Sequence, residues 1–168
     1  MEFDDECGEL REGAELSSSK ARALRILGSR SLSAREIEKR LLNKEIPEQT
    51  ARLTVEWLED IGAINDAEYA DSIVRHYFSK GHGIARIKDE LHKRGIDREM
   101  WEEAIEGAGD PEDAAYDYIT KKLKGSCGKD ESRRVTDALC RRGFSYGEVR
   151  AAMNRYTESL EETEGAGP

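Results

Sequence analysis

The amino-acid sequence predicts an all-α protein, with three tandem three-helix repeats forming an elongated, curved array. Three observations predict it. Ala, Leu, Ile, Glu, Lys and Arg dominate, with 7% aromatic residues and only three prolines, as expected of helices that carry one apolar stripe each. With 37% hydrophobic against 38% charged residues in a chain of 168, any core must be thin and distributed. Finally, one spacing of five apolar residues occurs three times: Ile37, Leu41, Ile46, Ala51, Val55; then Ile87, Leu91, Ile96, Trp101, Ile105; then Val135, Leu139, Phe144, Val149, Met153. The interval i, i+4 followed by a tight turn and a second i, i+4 pair reads as two helices whose apolar faces meet.

Each repeat gains a preceding helix, which gives three helices per unit. In the first repeat helices are expected near 18–30, 33–43 and 47–60; Ser33 and Glu36 form a capping box for the second, and Pro47 stands at the start of the third. The second repeat expects helices at 66–79, 84–94 and 97–107, with Asn65 and Asp97 as N-caps and Gly95 as the left-handed residue that closes the middle helix. In the third, helices at 111–124, 130–142 and 146–160 are marked by Asp110 and Pro111, by Gly143, and by a Ser145–Glu148 capping box. The first repeat has Glu45 where the others have glycine, which costs up to ~1 kcal/mol if the left-handed turn is kept.

These units divide the chain into a flexible acidic tail (1–19), repeats at 20–64, 65–109 and 110–156, and an acidic C-terminal tail (157–168). The Gly107–Gly109 joint and the Lys124–Lys129 loop are expected to leave the third repeat freer to pivot. Cys140 is expected in the core as a reduced thiol; Cys7 falls in the tail. The histidines and cysteines lack metal-ligand spacing, and neither a metal nor another cofactor is expected. No apolar run is long enough for a membrane span and the N-terminus is acidic, so a cytoplasmic protein without a membrane partner is expected.

The net charge of −9 sits in the tails. Residues 1–19 hold seven acids and one base, and residues 157–168 hold four acids and no base, leaving 25 acids and 26 bases between. A neutral body can still segregate charge, so a polyanionic partner is not excluded. Enzymatic motifs fail individually: Gly81 and Gly83 lack a third glycine and a preceding strand, Gly125–Gly128 lacks the Lys-Ser/Thr ending of a phosphate loop, and the paired acids lie on solvated stretches. No enzyme is expected.

The run Asp66-Ala67-Glu68-Tyr69-Ala70, followed by Gly83, Ile87, Leu91, Gly95 and Ile96, resembles the central repeat of the RecX family. Ala23–Leu27 with Ile37, Leu41 and Trp57–Gly62, and Val135, Leu139 and Arg142–Phe144, resemble its first and third repeats. The resemblance covers about residues 20–156. It implies a non-catalytic protein that binds the RecA filament on single-stranded DNA and limits its assembly, ATPase and strand exchange, modulating DNA repair, recombination and the SOS response. A monomer is expected.

The other reading is a helix-turn-helix-like, sequence-specific DNA-binding regulator. Its third helices would enter the major groove, yet residues 47–60 carry one base and four acids, and residues 97–107 one base and five acids. The second helices are basic instead. The candidate filament-binding residues are Arg25 in the first helix, then Arg35, Lys39, Arg40 and Lys44; Arg86, Lys88, Lys93 and Arg94; and Arg133, Arg134, Arg141 and Arg142. Recurrence on equivalent helices suits an intermittent basic track.

Overall fold

The computed structural model describes residues 3–28, 30–126 and 128–165, with the backbone alone for residues 3–10, 164 and 165. Among the described residues every regular element is a helix: α1 (Phe3–Leu27), α2 (Ala34–Leu42), α3 (Glu48–Asp60), α4 (Asp66–Ser79), α5 (Ile84–Lys93), α6 (Arg98–Glu106), α7 (Pro111–Leu123), α8 (Lys129–Arg141) and α9 (Tyr146–Gly165). Both capping boxes form. The Glu36 amide donates to Ser33 Oγ and the Ser33 amide to Glu36 Oε2, each at 3.1 Å, and Ser145 and Glu148 repeat the exchange at 3.2 and 2.7 Å. Asn65 and Asp110 accept from the amides of Glu68 and Glu112, whereas Asp97 occupies an N-cap position without a side-chain capping bond.

The chain divides into two compact units, one of residues up to Tyr69 with Arg94–Ile96, the other of Ala70–Lys93 with Asp97 onward. In the first, Ala23, Leu32, Ile37, Leu41, Ala51, Val55, Leu58 and Ile64 form one apolar cluster, with Ile26, Leu27, Ile46 and Trp57 packed against it. In the second, α7 packs chiefly on α9. Ala115, Ile119, Leu123, Leu139, Phe144, Val149, Ala152 and Tyr156 make the cluster there, and Val135 and Met153 pack on it. Ala70, Ile73, Val74, Ile87, Leu91, Trp101 and Ala104 are also buried in this unit. The periodic apolar positions therefore face inward in all three repeats, with Ile46, Ile105, Val135 and Met153 half-buried and the rest buried.

Four expectations are corrected. First, α1 begins at Phe3 rather than near residue 18, and α9 runs to Gly165 rather than ending near residue 160. The added segments lack proline, and glutamate, a good helix former, is the commonest residue in both. Second, the tail limits cut into packed structure: Ser19 is buried and accepts a 2.8 Å hydrogen bond from Thr54 Oγ1, and Leu160 packs on the third-repeat cluster. Third, Cys140 is exposed, because the neighbouring Leu139 takes the inward position and one residue rotates a helical side chain by about 100°. Cys127 and the side chain of Cys7 lie outside the described residues. Fourth, the α7–α8 loop is tied down: the Gly125 amide donates to Tyr156 Oη at 2.9 Å, and Tyr156 Oη donates to the Ser126 carbonyl at 3.3 Å.

The turn after the second helix of each repeat shows what glycine supplies. Gly95 and Gly143 have φ of 71° and 91°, and Glu45 adopts φ 61° in the equivalent place. The Ile46 amide reaches the Leu41 carbonyl at 3.3 Å, as the Phe144 amide reaches Leu139 at 3.2 Å, so the backbone pattern overrides the side-chain penalty. Glu45→Gly is accordingly expected to raise the unfolding free energy by about 0.5–1 kcal/mol, after the entropy that glycine adds to the unfolded chain. Urea denaturation measures it, and an unchanged midpoint refutes strain at this residue.

Candidate basic interface

Helix geometry decides where the bases point. Ile37 and Leu41 fix the buried stripe of α2, and Arg35 and Lys39, two positions from Ile37 on either side, fall on the opposite face. Both are exposed, and Arg40 at the stripe's flank is half-buried. Lys44 is exposed in the following turn. On α5, Arg86, Lys88 and Lys93 are exposed around the Ile87–Leu91 stripe; on α8, Arg133, Arg134 and Arg141 are exposed around Leu139; Arg25 is exposed near the end of α1.

Two of these bases have conspicuous internal work. Arg94 is half-buried, its guanidinium 5.6 Å above the Tyr69 ring and hydrogen-bonded to the Tyr69 hydroxyl. Burial, then the Glu36 carboxylate, pushes the Tyr69 hydroxyl pKa up against the opposing Arg94 charge. Arg142 is half-buried, lies 4.8 Å over Tyr118, and donates from Nη1 to the carbonyls of Lys80 at 2.9 Å and Gly81 at 3.3 Å. Beside it, burial and then the charges of Arg142 and Arg86 push His82 below the usual histidine pKa. A formal charge count cannot separate such arginines from solvated ones. The signal available in the sequence was the Arg-Gly pair that closes both middle helices, 94–95 and 142–143.

The acidic third helices behave differently. At the end of α3 burial raises the Glu59 pKa, and the carboxylates of Asp66, Asp60 and Glu56 raise it further, a local field that repels phosphate. A cleft of about 560 Å³ in the second unit, between the end of α4 and α7, is lined by Asp110, Asp113 and Asp117 against Lys80 and Lys121. That balance is equally unsuited to a polyanion. Among the described residues no cluster of three or more His, Cys, Asp or Glu side chains could hold a metal ion, and no helix is long and apolar enough to cross a membrane.

Comparisons with known proteins give a consistent result. Family models for the first and second three-helix domains of RecX match residues 20–58 and 65–105. The chain is 36% identical over 135 residues to a protein named "Regulatory protein RecX" from Chromohalobacter salexigens, covering 78% of this chain and 88% of that one. It is 30% identical over 162 residues to the protein of the same name from Streptomyces coelicolor, covering 90% and 85%. A crystal structure of RecX from Lactobacillus salivarius matches with a TM-score of 0.74 at 23% identity, over 85% of this chain and 97% of that one, a likeness of fold.

Proposed function

Because the chain belongs to the RecX family of regulatory proteins, we propose that it binds the RecA filament on single-stranded DNA and inhibits RecA ATPase and strand exchange without catalysis of its own. The observation that carries this reading is the recurrence of exposed bases on the second helix of every repeat: Arg35 and Lys39, Arg86 and Lys88, Arg133 and Arg134. A filament presents phosphate and protein at regular intervals, and linked contacts that are individually weak act together through high effective concentration. The third helices of the first two repeats, with one base against four acids and one against five, oppose a helix-turn-helix reading, in which they would enter the groove.

The test is the ATPase rate of the cognate RecA on single-stranded DNA during titration with the full-length protein. Progressive inhibition at substoichiometric to equimolar amounts is expected. An unchanged rate at saturating protein sinks the assignment.

A further inference from the structure

Inside the second unit, the start of α5 and the turn after α8 meet backbone to backbone. The Gly83 amide donates to the Arg142 carbonyl at 2.9 Å, and the Ala85 amide donates to the Gly143 carbonyl at 3.2 Å. The first amides of a helix and its last carbonyls have no partners within their own helix. Here the unpaired donors of α5 face unpaired acceptors at the end of α8, so each helix end caps the other and opposite dipole ends adjoin.

The approach leaves no room for a side chain. A Cβ on Gly83 would lie 2.3 Å from the Phe144 nitrogen and 2.4 Å from the Gly143 carbonyl carbon and oxygen; one on Gly143 would lie 2.6 Å from the Arg86 nitrogen. Arg142 clamps the same turn from outside through its two bonds to Lys80 and Gly81 while stacking on Tyr118. A side-chain counterpart stands at the same places in the first unit, where the Ser33 hydroxyl, not a backbone amide, donates to the Arg94 carbonyl and Arg94 engages Tyr69. Ser33 to Gly83 and Arg94 to Arg142 are the same offsets as those of the apolar positions, so the contact is a property of the repeat.

We propose that this backbone latch, Gly83 seated on the Arg142–Gly143 turn, sets the second and third repeats in a single working alignment, and that Arg142 is a positioning residue of the latch and not a contact to the filament. Rigid backbone contacts tolerate no sliding, unlike contacts between flexible side chains. The alignment in turn fixes the spacing of the α5 and α8 bases. The claim about binding rests on the proposed function; the claim about alignment does not.

Two measurements on the full chain test it. Spin labels at Arg75→Cys and Arg150→Cys, both exposed, in a background with the native cysteines replaced by serine, should give one narrow distance distribution. Gly83→Val should broaden it, and so should the milder Arg142→Ala, with helix content retained. A distribution that stays narrow in a folded Arg142→Ala variant overturns the latch. In filament binding, Arg142→Ala and Arg142→Lys should both weaken affinity about tenfold through reduced effective concentration while leaving the salt slope unchanged. Lysine keeps the charge but lacks the planar guanidinium that stacks on Tyr118 while its Nη1 reaches both carbonyls. Full binding by Arg142→Lys, or a shallower salt slope in Arg142→Ala of the size that removing one phosphate ion pair produces, would make Arg142 a filament contact and overturn the proposal. If no filament binding occurs at all, the proposed function falls, and the distance measurement still decides the latch.

Discussion

Leu91→Asp is expected to unfold most of the second unit. Leu91 has no exposed surface, so the substitution removes a buried leucine, worth roughly 2–5 kcal/mol with its cavity, and asks a carboxylate to sit unpaired in an apolar site. The carboxyl must either protonate or expel the helix, at a cost of several further kcal/mol. Against a typical total of about 5–15 kcal/mol, little stability remains. The control is Lys88→Asp on the same helix, exposed and expected to change stability by no more than about 0.5 kcal/mol. Thermal melts followed by circular dichroism separate the two. Equal melting temperatures would mean that the α5 register is wrong.

Replacing Arg35, Lys39, Arg133 and Arg134 together by glutamine is expected to abolish tight filament binding at physiological salt while leaving the melt unchanged. All four are exposed and lie on the outer faces of α2 and α8. Removing one ion pair with a single-strand phosphate lowers the slope of log affinity against log salt by about 0.7, so removing four lowers it by roughly 3. Arg52→Gln and Arg98→Gln, on the acidic third helices, serve as controls and should leave the slope unaltered. If the quadruple variant binds with the parental slope, the basic faces serve only for solubility.

How much of this is legible in the sequence depends on whether a feature leaves a periodic or local chemical trace. Ile37 and Leu41, with their counterparts in the other repeats, leave one, because burial repeats every third or fourth residue on a helix. Ser33 and Ser145 do too, since a capping box is written in four consecutive residues. The α1 extension leaves none: its acids look like a solvated tail, and a helix without an apolar stripe is betrayed only by weak propensities. The expectation of a buried Cys140 fails because it adjoins Leu139 and either could face inward. Among the bases, the exposed set is recoverable from charge counting, whereas Arg94 and Arg142 are marked in the sequence only by the glycine that follows each, and their partners lie far off in the chain. A backbone latch leaves still less trace, since its residue-level requirement is the absence of a side chain at Gly83 and at Gly143.

The latch also bears on how the molecule is made. Arg142 and the Gly81 carbonyl it holds are 61 residues apart, and a ribosome adding about 5–20 residues per second needs roughly 3–12 s to supply the later partner. During that interval the nascent α5 has a frayed, water-capped start, and the second repeat waits for the third to complete it. Synthesis therefore favours a late, joint consolidation of the two repeats over a sequence of independently finished modules.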